Sequence, residues 1–122
     1  MTRFMVSLFS VAVFLAFGSF NATAETSIST CAVIDKPGSY ALANNIKATQ
    51  RNMKGSAPAC ILIVADFVTL DLEGYTIEGP GTGFGVYSTG GLTGRRATQV
   101  HNGTVTNFER GVSLEGDGLM TT

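Results

Sequence analysis

The chain has 122 residues, with eight basic against nine acidic side chains and one histidine, a formal net charge of −1. That length suits one small domain. The near-neutral balance excludes the basic face that nucleic-acid binding needs. Many glycines, few charges and only three prolines point to a compact β-rich fold rather than disorder.

The first element is a leader. Met1-Thr2-Arg3 carries one positive charge, and Phe4 to Phe20 is apolar except for Ser7, Ser10, Gly18 and Ser19. The run closes on Ala22-Thr23-Ala24, the small-x-small pattern of a signal-peptidase site. Residues 1–24 are therefore expected to be a signal peptide, cleaved before Glu25. The competing reading is an uncleaved membrane anchor, since about 17 residues lies at the lower limit for a span. No basic stop-transfer cluster follows. Loss of Arg3 leaves seven basic and nine acidic residues in a mature chain of about 98. Periplasmic or extracellular location follows, with membrane contact only through an uncleaved leader.

Cys31 and Cys60 are the two cysteines. An even number in an exported protein suggests one disulfide, worth roughly 3–4 kcal/mol for a loop of this length. Two buried free thiols are the alternative. With the single His101 they do not make a four-ligand zinc set, so no metal is expected.

No segment after residue 25 holds apolar residues at helical spacing over three turns. Cys31–Ile34 and Ser39–Leu42 read as short strands joined by the Lys36-Pro37-Gly38 turn. Residues 47–58 read as a polar surface loop. "CILIVAD" is a continuous apolar run from Cys60. "FVTLDL" alternates, with Val68, Leu70 and Leu72 on one face and Phe67, Thr69 and Asp71 on the other. "YTIE" and "FGVYS" are further strands, the loop "TGGLTGRRA" follows, and alternation resumes in "TQVHNGTVTNF" and "GVSLEG".

Glycine corners and short strands recur. Gly74 before "YTI" echoes Gly103 before "TVT" about 29 residues on; "GVYS" echoes "GVSL" at about 26, and "ILIV" precedes it by about 24. Units of this kind suit a solenoid in which stacked coils bury one continuous core. An antiparallel sandwich or meander is the alternative, but its hairpins would favour two-residue turns. The interior is expected to be lined by Ile61, Ile63, Val68, Leu70, Leu72, Ile77, Val86, Val100, Val105, Val112 and Leu114.

The quoted segments carry a resemblance. "CILIVADFVTLDLEGYTIEGPGTGFGVYS" followed by "VHNGTVTNFERGVSLEG" resembles the right-handed parallel β-helix proteins of the pectate-lyase-like superfamily, in which a "VTLDLNGHTI" phrase recurs. "CAVIDKPGSYALANNI" resembles their N-terminal segment. The likeness runs from about Cys31 to Gly118. It implies an all-β, right-handed parallel β-helix of about three coils: an N-terminal cap segment and surface loop over 25–59, then incomplete coils over 60–122. Two departures stand out. Glu73 replaces the usual corner asparagine, and "GDGLMTT" is reached without a C-terminal cap.

Members that cleave polysaccharides use outward acidic and basic residues, usually in later coils. Asp66, Asp71 and Glu73 are the local acidic group here and weak catalytic candidates; a solvated outer face or turn capping is the plainer explanation. Arg95-Arg96 beside His101 could bind an anionic sugar, or be a solvated loop. Tyr75, Phe84, Tyr87 and Phe108 could form a sugar-stacking platform, or stack beside the core. "GPGTGFG" meets neither the P-loop nor the dinucleotide fingerprint, so no cofactor is expected. Asn102-Gly103-Thr104 matches a glycosylation acceptor, but in a bacterial protein, as the family suggests, it is a coil corner. The expectation is an exported β-helix module, structural or contacting a polysaccharide or cell-surface glycan, without catalysis of its own. The alternatives are the N-terminal part of a lyase or glycoside hydrolase with catalytic residues beyond Thr122, and a truncated, nonfunctional product.

Overall fold

A computed structural model describes residues 24–89, 97–115 and 120–121. Residues 1–23, which hold nearly all of the expected leader, and the Arg95-Arg96 pair lie outside them. The described residues form short strands and contain no helix. The strands are β1 (Thr26–Ile28), β2 (Ala32–Ile34), β3 (Gly38–Leu42), β4 (Ile46–Lys47), β5 (Ala59–Ile63) and β6 (Val68–Asp71). They continue with β7 (Thr76–Glu78), β8 (Phe84–Ser88), β9 (Gln99–His101), β10 (Thr104–Thr106), β11 (Arg110–Leu114) and β12 (Met120–Thr121).

They assemble into three sheets: five-stranded β1-β3-β6-β9-β12, three-stranded β10-β7-β4 and four-stranded β11-β8-β5-β2. The strand pairings are parallel throughout. From β3 onward the chain visits the five-, three- and four-stranded sheets in that order and then repeats the circuit. A strand of three to five residues buries little alone, so each depends on the strands above and below it in its ladder.

Register places like on like. Ile61 stands opposite Val86, which stands opposite Val112. Leu70 meets Val100, and Ile77 lies between Ile46 and Val105. Ile61, Ile63, Val68, Leu70, Ile77 and Val86 are completely buried, and Leu72 and Val100 nearly so. Thr69 and Asp71 are only half-buried and Phe67 is exposed, the outward parity expected of "FVTLDL".

The last circuit corrects the expected interior. Val112 is 36% exposed, and Val105 and Leu114 are half-buried. β10 and β11 are the outermost strands of their sheets among the described residues, so these side chains are packed from one side only.

The segments 31–34 and 39–42 do form strands, but in different sheets, so Lys36-Pro37-Gly38 turns a corner between them. Of residues 47–58, Lys47 ends β4 and the rest is loop. That loop is pinned where the Thr49 N–H donates to Asn52 Oδ1 (2.7 Å) and where an antiparallel bridge joins Lys54 to Ala59. Cys31 and Cys60 form a disulfide with Cα atoms 4.5 Å apart. They lie one position before the Ala32–Ile61 ladder pair, so the bond staples β2 to β5 in register.

Close packing requires glycine at Gly79 and Gly85 among other positions. A Cβ on Gly85 would strike the Val105 side chain and the Gly111 carbonyl, and one on Gly79 would enter the Phe108 ring. Phe108 thereby closes over the corner between the three- and four-stranded sheets, half-buried against the core.

Leu70→Ala should destabilise the protein by about 2–5 kcal/mol, because its cavity lies in a stacked interior that cannot collapse freely. Thr69→Ala, on the opposite face of the same strand, should cost less than about 1 kcal/mol. Denaturant melts of the two variants test the parity; equal losses would contradict it.

Candidate functional site

The ladder that stacks Leu70 on Val100 also places Asp71 directly opposite His101 on the outer face of the five-stranded sheet. Asp71 is the last residue of β6, and the backbone then turns through Glu73 (φ 52°) and Gly74 (φ 80°) toward β7. One layer on, Asn102 (φ 69°) turns the corner from β9 to β10. Left-handed backbone is cheap for glycine and tolerable for asparagine, but strained for glutamate. The strain at Glu73 is offset by its own N–H, which donates to Asp71 Oδ1 at 2.8 Å.

Asp71 is the centre of this corner. Its Oδ1 also accepts from Asn102 Nδ2 at 3.1 Å, and its Oδ2 lies 3.6 Å from His101 Nε2. The Glu73 N–H, the Asn102 amide and the nearby imidazole together hold the Asp71 carboxyl below its ordinary range. Glu73, exposed beside it, is pushed the other way, chiefly by the Asp71 charge and further by Glu25. Carboxylate oxygens of Glu25, Asp71 and Glu73 lie within 4.8 Å of one another.

Splitting two carboxyls in this way is how acid–base pairs are made. An acid kept protonated near neutral pH also needs burial, and Glu73 is exposed. Calcium takes six to eight oxygens; the three carboxylates hold six, and Asp71 Oδ1 is already engaged by the Glu73 N–H and the Asn102 amide. The corner is therefore a hydrogen-bonded turn first. Asp66 precedes β6, at the opposite end of the strand from Asp71, and is not part of this group.

Sequence reasoning placed His101 with Arg95-Arg96 and overlooked its position against Asp71. The signal was available: Leu70 and Val100 are 30 positions apart, and so are Asp71 and His101. Two further asparagines were also overlooked. Asn45 Oδ1 accepts from the Thr76 N–H at 2.9 Å, and Asn107 (φ 62°) donates from Nδ2 to the Gly79 carbonyl at 2.8 Å. Each ties a corner to an adjacent circuit, satisfying backbone groups that a turn would otherwise leave unpaired.

A second feature lies on the outer face of the four-stranded sheet. Leu62, Tyr87 and Ser113 form one outward column. The Phe84 and Tyr87 rings stack with centroids 4.4 Å apart and planes 19° from parallel. The Tyr87 hydroxyl donates to Glu115 Oε2 at 3.2 Å. Partial burial, together with this carboxylate, raises the Tyr87 phenol above its ordinary pKa. Gly55, Ser56 and Ala57 of the surface loop form the opposite wall of a groove of ≈180 Å³, which Leu62, Tyr87 and Thr89 complete. Of the four aromatics considered as a platform, Phe84 and Tyr87 come together. Tyr75 stands exposed at the corner after Glu73-Gly74, and Phe108 turns to the core.

Compared with family models, curated proteins and solved structures, the protein matches none.

The sign of the Asp71 shift sets a pH dependence. A carboxyl with a folded pKa below its unfolded one stabilises the fold above the unfolded value, and that stabilisation is lost as pH falls through the folded value. Asp71→Asn should therefore flatten the acid limb of the stability–pH curve below the ordinary aspartate pKa of 3.8. Glu73→Gln should instead favour the fold at neutral pH, by removing the like charge. Denaturation midpoints from acid to neutral pH check both; an acid limb unchanged in Asp71→Asn would count against the assigned hydrogen bonds.

Proposed function

We infer that this protein is an exported right-handed parallel β-helix module that contacts carbohydrate on its outer surface and performs no catalysis of its own. The observation that carries the reading is the repeated visit to three parallel sheets with apolar residues in register from layer to layer. Successive circuits of that kind suit the coils of a β-helix. The resemblance of "VTLDLEGYTIEG" and "NGTVTNFERGV" to the pectate-lyase-like superfamily supplies the hand and the link to glycans.

Export is supported by the leader and by the Cys31–Cys60 disulfide, which suits an oxidising compartment. Carbohydrate contact is supported by the groove beside Tyr87. It sets Tyr87 and Leu62 of the sheet beside Gly55, Ser56 and Ala57 of the loop within one small concavity. Aromatic side chains joining an apolar body to a polar tip suit ligands with one apolar face and a hydroxylated rim. The absence of catalysis is inferred from the exposure of Glu73 and from the engagement of Asp71 in the turn.

The test titrates the purified mature protein with soluble oligosaccharides from pectin, alginate and neutral cell-wall glycans. At least one should bind, and Tyr87→Ala should weaken it by about tenfold or more, as expected on truncating a buried contact aromatic. No glycan should be cleaved, with or without calcium. Failure of every glycan to bind overturns carbohydrate contact, and turnover abolished by Asp71→Asn overturns the non-catalytic reading.

A further inference from the structure

Asn102-Gly103 is the sole Asn-Gly step in the sequence. Its chemistry is a cyclisation. The Gly103 backbone nitrogen attacks Asn102 Cγ, a new C–N bond forms, and the bond from Cγ to Nδ2 breaks. Nδ2 leaves as ammonia, taking the proton of the Gly103 N–H. Water then opens the succinimide at one of its two ring C–N bonds, giving aspartate or isoaspartate. A following glycine favours the attack because no Cβ hinders the backbone.

The fold opposes this step at both residues. Asn102 Nδ2 is held by Asp71 Oδ1 (3.1 Å), and the Asn102 carbonyl accepts from the Gly74 N–H (2.7 Å). Gly103 is wedged so closely against Leu72 and the Tyr75 carbonyl that a Cβ would strike both. That same carbonyl accepts from the Thr104 N–H at 3.1 Å. To bring the Gly103 nitrogen onto Cγ, the Asn102 amide must leave Asp71 and the Gly103 backbone must leave its seat. The closed corner does not react; the open corner does.

The product would not fit the same seat. Conversion replaces the amide donor facing Asp71 Oδ1 with a carboxylate, beside a group that already holds Glu25, Asp71 and Glu73. A hydrogen bond becomes a like-charge contact, and isoaspartate also adds a backbone carbon to the corner.

We propose that Asn102 is a covalent ageing site, shielded while the β9–β10 corner is closed on Asp71, converted when it opens, and unable to re-form that contact afterwards. This does not depend on the export or carbohydrate reading.

The full-length protein is incubated at mildly alkaline pH, natively and in denaturant, and conversion at Asn102 is followed by peptide mass mapping. A protected site reacts only through its open fraction, so the native rate should be at least about tenfold below the denatured one. Asp71→Ala should narrow that gap without changing the denatured rate. Independently, Asn102→Asp should speed hydrogen exchange at the Gly74 and Thr104 amides while β5 and β8 stay protected. Equal native and denatured rates would overturn the proposal, as would Asn102→Asp exchanging like the parent protein. If Asp71→Ala proves unfolded, the Asn102→Asp exchange measurement decides.

Discussion

Parallel register is the constraint on which everything else in this protein rests. Each strand is too short to hold itself, and each gains its stability from lying in step with the strand above and the strand below. Because side chains alternate along a strand, one step of slip would carry the whole apolar set outward and bring the polar set in. The columns Ile61–Val86–Val112, Leu70–Val100 and Ile46–Ile77–Val105 are therefore the fold, and the corners exist to keep them in step. Burial declines where a column runs out: Val86 is sealed between two layers, while Val112, next in the same column, is partly open.

The polar features are by-products of the same register. Asp71 meets His101 because Leu70 meets Val100, and Tyr87 lies in line with Leu62 because Val86 lies in line with Ile61. At the corners the backbone leaves the ladder and its N–H and carbonyl groups need new partners. Asn45 and Asn107 supply them to a neighbouring turn and Asp71 to its own, while the Asn102 side chain bonds to Asp71 itself. The acidic group around Asp71 is held by this turn chemistry, which explains why a cluster with the composition of a catalytic pair is mostly engaged in shaping the backbone. The groove at Tyr87 is less committed. Its walls come from different parts of the sequence, a rigid sheet and a loop, an arrangement common at binding surfaces.

The disulfide and the wedged glycines fix what the hydrophobic columns leave loose. A column of aliphatic side chains tolerates small shifts, whereas a Cys31–Cys60 bond at the position before Ala32–Ile61 sets that register outright. Gly85 and Gly79 permit the close approach of Val105 and Phe108 at the corner between the three- and four-stranded sheets.

The sequence alone determined the strand content, the inward and outward parity of β6, and the pairing of the two cysteines, because alternation and cysteine number are local or compositional signals. It also marked Asp71 and Glu73 as neighbours and Gly74 and Gly103 as corners. It did not determine the register. Spacings of about 24–29 residues were legible, yet the ladders step by 30 in the five-stranded sheet (Leu70 to Val100) and by 28 in the three-stranded one (Ile77 to Val105). The cause is corner length: four residues separate β6 from β7 and two separate β9 from β10, so each sheet keeps its own count. Only the tertiary structure could therefore set His101 against Asp71, bring Asn45 and Asn107 onto neighbouring turns, and set Tyr87 against the 55–57 loop. Those contacts join residues that share no local pattern, and they arise from how the circuits stack.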